Sequence, residues 1–93
     1  MFSWDTAKAI TNFEKHKVSF EEVATIFADQ SALDWEDLSH SYGEKRFKRL
    51  GKSIEGKLLL AVYTVRKIRN GKETIRIISA RKASRKERKA YKS

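Results

Sequence analysis

Residues Leu58-Leu-Leu-Ala-Val-Tyr63 form an unbroken apolar run near the middle of the chain. A run of this length is typical of a strand covered on both faces, and it is far too short to span a bilayer. Such a strand needs partners beside it. Upstream, Lys45 to Lys52 alternates with a rough period of two, Arg46 and Lys48 against Phe47, and Arg49 against Leu50. Ser53-Ile54-Glu55-Gly56 supplies the turn between the two segments. Downstream, Asn70-Gly71 marks a hairpin turn. It leads into Thr74-Ile-Arg-Ile-Ile-Ser-Ala80, where Ile75, Ile77 and Ile78 favour a further strand. The hairpin sets Tyr63–Arg66 beside Thr74 and Arg76. If Arg76 points away from Ile75 and Ile77, strand alternation lets it leave the core and share a surface with Arg66.

Helices flank this sheet. Asp5 is placed to cap a helix from Thr6 to about Lys15, with Ile10 and Phe13 on its buried stripe and Asn12, Lys15 and His16 as polar residues near its end. A second helix opens at Ser19, where Ser19 and Glu22 form a capping box and Val18 and Val23 a hydrophobic staple. Phe20, Val23, Ala24 and Phe27 then follow the spacing of a core-facing stripe. Asp29 to Gly43 is acidic and irregular, apart from a short strand at Ala32-Leu33-Asp34-Trp35. Asp34, Glu36, Asp37 and His40 read either as a metal or acid–base cluster or as a solvated loop balancing nearby basic charge; the loop is the expectation. Trp35 reads as a lid on the core rather than a base-stacking platform. Ser84-x-x-Glu87 is a second capping box and opens a terminal helix. Residues 1–93 thus describe a single α+β domain: two N-terminal helices, an antiparallel sheet of three to four strands, and a C-terminal helix.

Charge divides the chain unevenly. Residues 1–40 hold three Lys or Arg against eight Asp or Glu, whereas residues 41–93 hold eighteen against four, giving +9 for the whole. The basic half suggests a nucleic-acid face with a separate remainder, the alternative being a generally basic protein with a solvated tail. No cysteine is present, which removes disulfides and thiolate metal sites and fits a reducing cytosol. Two histidines without H-x-x-x-H spacing argue against a zinc site, and neither a metal nor a cofactor is expected. The N-terminus has no basic and apolar regions of the kind a signal peptide carries, so the expected location is cytoplasmic.

Five ordered motifs then resemble one family. They are Trp4-Asp5-x-x-Lys8 with Asn12; Lys15-His16-x-Val18-x-Phe20-Glu21-Glu22; His40-Ser41-x-x-Glu44-x-Arg46 with Gly51; Tyr63-Thr64-x-Arg66; and Arg76-Ile77-Ile78-Ser79-Ala80-Arg81-x-Ala83-x-Arg85-x-Glu87-Arg88-x-x-Tyr91. In this order they are similar to the BrnT family of bacterial toxins. The resemblance implies a RelE-like fold and a ribonuclease toxin of a type II toxin–antitoxin system that inhibits growth. It also implies a BrnA-type antitoxin with a ribbon-helix-helix portion, and contact with operator DNA only through that complex. The segment Arg66 to Lys72 is longer and more basic than the usual hairpin tip of the family.

RNA can be cut without metal when its own 2′-hydroxyl attacks the adjacent phosphate. A protein then has to move protons and stabilise charge on the phosphorane. Arginine suits the second task, because its fork pairs with two phosphate oxygens and stays charged. The expected clamp is Arg66, Arg76 and Arg81. His16 and Glu44 are acid–base candidates, and Tyr91 is a proton donor or stacking residue. Lys15, Arg46, Arg85 and Arg88 are expected to bind the RNA backbone. Each candidate has an ordinary alternative: Glu44 paired with an arginine, Tyr91 pinning the last helix to the core, His16 ending the first helix. Two other functions stay open on the residues alone: a non-catalytic nucleic-acid-binding module, and a protein-binding domain whose basic face docks an acidic helix.

Overall fold

The structure is a computed structural model and describes residues 1–92. It contains β1 (Phe2–Ser3), α1 (Thr6–His16), α2 (Phe20–Ala24), a 3-10 turn (Thr25–Ala28), β2 (Leu33–Glu36), β3 (Phe47–Lys52), β4 (Leu58–Lys67), β5 (Glu73–Lys82) and α3 (Arg85–Lys92). The sheet order is β1-β5-β4-β3-β2, so the apolar run lies on the central strand. The expected α+β class holds, but the sheet is larger than anticipated and mixed. Residues Phe2 and Ser3 add a fifth strand, paired parallel to β5 at Ile75 and Arg76. Two residues carry no readable periodicity, so this strand exists only because β5 offers it an edge.

The caps form largely as their sequence predicts. The Asp5 carboxylate accepts from the Lys8 N–H at 3.0 Å, and Ser19 Oγ accepts from the Glu22 N–H at 3.1 Å. The Glu22 carboxylate, however, turns to the Ser53 hydroxyl at 2.7 Å instead of closing its box. At Ser84 both halves close: Ser84 N–H donates to Glu87 Oε1 at 2.8 Å, and Glu87 N–H donates to Ser84 Oγ at 3.2 Å.

The central strand is covered on both sides. One face carries Leu59, Ala61 and Ile77 against Val18, Phe20, Val23 and Ile26, with Phe2, Trp4, Ala9, Ala24 and Phe27 around them. Ile26 joins this core because the chain tightens into a 3-10 turn after Ala24, which rotates it inward. The turn lies so close to β3 that a Cβ on Gly51 would sit 3.2 Å from the Cβ and carbonyl oxygen of Ile26 and from the Cβ of Ala32. Asp34 faces this side too. It accepts from the Tyr63 hydroxyl at 2.7 Å and pairs with Arg49. The opposite face holds a smaller cluster of Leu50, Leu60 and Ala83, over which Leu58 and Tyr91 pack.

The expected buried stripe of α1 is corrected. Ile10 and Phe13 are 57% and 49% exposed, and Asn12 is the buried residue of this helix. Past β1 the edge of β5 would otherwise present bare backbone groups. The Asn12 amide satisfies them, accepting from Ala80 N–H at 3.1 Å and donating to Ala80 O at 3.0 Å. It also donates to Val18 O at 3.3 Å. Those three bonds fix which side of the helix turns inward, against the apolar pattern.

One irregularity decides what the second face displays. Val62 pairs with Ser79, but Tyr63 pairs with Ile77, leaving Ile78 as an extra residue on β5. Regular alternation would put Arg76 and Arg81, five apart, on opposite faces; the bulge shifts the phase by one. Arg76, Ser79 and Arg81 therefore share the face of Leu60, Val62 and Thr64.

Candidate active site

Helix α3 covers one end of that second face, and the segment before β3 closes over Thr64, whose hydroxyl donates to Lys45 O at 2.8 Å. A groove of about 280 Å³ lies on the same face, lined by His16, Lys48, Leu60, Val62, Ser79 and Arg81. Each side chain arrives for a local reason. Lys48 stands between Phe47 and Arg49, both of which point to the helical side, so alternation turns it into the groove. His16 is the last residue of α1 and half-buried, held there because Lys17 ends the helix in the left-handed conformation, at φ 58°. Leu60 and Val62 are neighbours on β4 and make an apolar floor.

Arg81 is the most constrained of the set. Its Nη1 and Nη2 donate to the two Glu87 oxygens at 2.8 and 2.9 Å, and Nη1 also donates to Lys82 O at 3.1 Å. The Arg81 bonds to Glu87 outweigh burial and, with those from Ser84, bring the carboxyl to a pKa of about 2. The same pairing raises the pKa of Arg81. A guanidinium has five N–H donors, so the Nε–Nη2 edge is left for a second bidentate acceptor, the pattern that fits a phosphate.

The three expected clamp arginines share one face but do not converge on one point. Arg66 lies opposite Thr74, and Thr64 opposite Arg76, so Arg66 and Arg76 are diagonal neighbours. From Thr74 to Arg81 the strand advances about 20 Å, which spaces them as a strip instead of a clamp. Arg76 Nη1 reaches the Ser3 hydroxyl at 3.5 Å. Arg66 pairs through Nε with Glu44 at 3.1 Å, so Glu44 takes its ordinary alternative, as partner of an arginine. Tyr91 does the same: its hydroxyl donates to Asp29 at 2.6 Å. That bond raises the Tyr91 pKa and keeps the phenol protonated, and the ring lies on the Leu50–Leu60 cluster. Lys15 lines a neighbouring groove with His16, Ile78 and Ser79. Arg88 lines another at the opposite end, with Lys52 and Tyr91. Arg46 immediately precedes β3, two residues before Lys48, and Arg85 is exposed at the start of α3.

The acidic segment does not gather into a site. Asp34 lies on the helical side, and Asp37 on the other. Asp37 is buried and accepts from Ser39 at 3.0 Å, with His40 Nδ1 3.0 Å from its other oxygen. Burial opposes its ionisation, but these bonds and the nearby charges of His40 and Lys48 hold its carboxyl below the usual range. Among the described residues no group of three or more histidine, cysteine or carboxylate side chains is arranged to hold a metal ion. No described helix is long and apolar enough to cross a membrane. Trp35, expected as a lid, belongs to neither core cluster and is 41% exposed. Lys48 and Ser79 were not singled out by the sequence. Lys48 carries a signal in the alternation of β3, whereas Ser79 depends on the bulge and has none.

Comparison with known proteins agrees with this architecture. The crystal structure of the Brucella abortus ribonuclease toxin BrnT superposes with a TM-score of 0.63 at 20% sequence identity, covering 91% of this chain and 99% of that one. A search among curated protein sequences gave no match. The sequence profile described as "Ribonuclease toxin, BrnT, of type II toxin-antitoxin system" matches residues 4–87. The chain is therefore a member of the BrnT family of ribonuclease toxins.

Proposed function

We propose that the protein is a cytoplasmic endoribonuclease that cleaves RNA without a metal, by attack of the 2′-hydroxyl on the adjacent phosphate, and so inhibits translation and growth. The observation that carries this reading is the groove between His16, Lys48 and Arg81. There the free Nε–Nη2 edge of Arg81 and the ammonium of Lys48 flank a position for one phosphate. The Arg81 charge is held by Glu87 before substrate arrives, which is the condition for stabilising a phosphorane effectively. His16 at the rim exchanges the protons of the attacking and leaving oxygens. The apolar floor of Leu60 and Val62 strengthens these interactions by excluding water. Arg76 and Arg66 neutralise flanking phosphates along the strip, and Arg46 and Lys15 extend it.

The test is incubation of purified protein with a defined RNA in EDTA, beside Arg81→Ala and Lys48→Ala variants whose folding is checked by circular dichroism. The expected result is cleavage with 2′,3′-cyclic phosphate ends, reduced on the order of 10²–10³-fold by either substitution. Intact RNA that still binds in a salt-sensitive way would replace this reading with a non-catalytic binding module. In the proposed system a BrnA-type ribbon-helix-helix antitoxin covers the arginine strip with acidic or apolar segments and carries the complex to operator DNA. Covering the strip blocks substrate and relieves like-charge repulsion together. Cleavage that continues under saturating antitoxin would count against it.

A further inference from the structure

We propose that Trp35 is a stacking platform for an unpaired base of the RNA, a few nucleotides from the cleaved bond, so that the protein favours single-stranded substrate. The inference rests on the reading that the second sheet face binds RNA.

Asp34 points to the helical side, where it bonds Tyr63 and Arg49. Alternation then puts Trp35 on the groove side, and its register partner is Lys48. Lys48 in turn pairs with Val62, and Val62 with Ser79. Trp35, Lys48, Val62 and Ser79 thus form one rung across the sheet, from the rim of the groove to the β2 edge. Three strand spacings make this rung about 14 Å long, a distance that a few nucleotides of unstacked single strand bridge. A duplex cannot bring the same base to the indole without unpairing it.

The two tryptophans of the chain contrast in what surrounds them. Trp4 meets Phe20 edge-on at 5.9 Å and packs on the main core. Trp35 has no place in either cluster and remains 41% exposed. A large indole left open beside a lysine, on a face whose strip is arginine, matches the pairing of aromatic platform and cationic track that single-strand binders use. Asp37, the nearest carboxylate on this side in the sequence, is already engaged by Ser39 and His40.

The experiment uses a single-stranded 2′-O-methyl RNA, which has no free 2′-hydroxyl and cannot be cut by the proposed route. Its binding is followed by tryptophan fluorescence and anisotropy, with Trp4, partly buried on the helical side, as an internal reference. The wild-type protein should show quenching on binding. Trp35→Ala should lose the quenching and about 5- to 100-fold in affinity, while Trp35→Phe keeps most of the affinity. The same sequence as a duplex should bind more weakly and without quenching. Arg81→Ala separates this proposal from the reading it rests on. If Arg81→Ala weakens binding but Trp35→Ala binds like wild type, the RNA face stands and the platform is overturned. Binding by neither variant nor wild type would overturn both.

Discussion

Glu87 shows how one carboxylate links folding to the chemistry proposed for its neighbour. It closes the cap of α3 and grips both terminal nitrogens of Arg81, so helix start and arginine orientation share a single group. Its pKa falls from 4.5 to about 2 on folding. A depressed carboxyl contributes stability that is fully present above the unfolded value and is lost as pH falls through the folded one. We expect Glu87→Gln to cost about 1–2 kcal/mol at neutral pH, allowing for solvent screening at the partly exposed Arg81. Urea midpoints measured from pH 7 down to pH about 2 should show the gap closing only below the ordinary glutamate range. A gap unchanged at the lowest pH would mean that the ion pair contributes nothing. The capping role was legible, because Ser and Glu stand three apart at a helix start. The grip on Arg81 was not, since it depends on how β5 delivers its last residues to that helix.

At the scale of elements, the strands and helices could be read where patterning is strong, and the faces could not be read where it breaks. The apolar β4, the turn at Asn70-Gly71 and the pairing of Arg66 with the Arg76 region follow from alternation and turn chemistry. The buried side of α1 does not, because three hydrogen bonds from Asn12 prevail over Ile10 and Phe13. Nor does the common face of Arg76 and Arg81, because the extra residue at Ile78 leaves no mark in an unbroken Ile-Ile pair. Gly51 is a case where packing between elements gives a direct prediction. It is buried where the 3-10 turn crosses β3, and a methyl there would be 3.2 Å from Ile26 backbone oxygen and Cβ, neither of which can swing aside. Gly51→Ala should destabilise the fold by about 1–3 kcal/mol, the range for overpacking, read as a lower urea midpoint at unchanged slope. An unchanged midpoint would show that the turn and strand separate easily.

For the whole molecule, the division of charge along the sequence becomes a division in space. The acidic first half builds α1, α2 and the β2 region, while the basic second half supplies the strip on the second face. Four cations, Lys48, Arg66, Arg76 and Arg81, stand along it. If three or four of them neutralise phosphates, the logarithm of RNA affinity should fall with the logarithm of salt with a slope of about −2 to −3. Measurement of the uncut analogue across a salt series checks this, and a flat response would place the RNA elsewhere. The domain and its basic character were plain in the composition; the strip was not, because its members come together only through sheet register. That register has a consequence for how the protein comes into being. β1 pairs with β5, and Asn12 bonds Ala80 across 68 residues, so during synthesis β1 and α1 wait for a strand made much later before their partner exists. Contacts of such separation are slow to form, because loop-closure entropy opposes them. A chain that stops short of β5 has neither a completed sheet nor Arg76 and Arg81 on its second face.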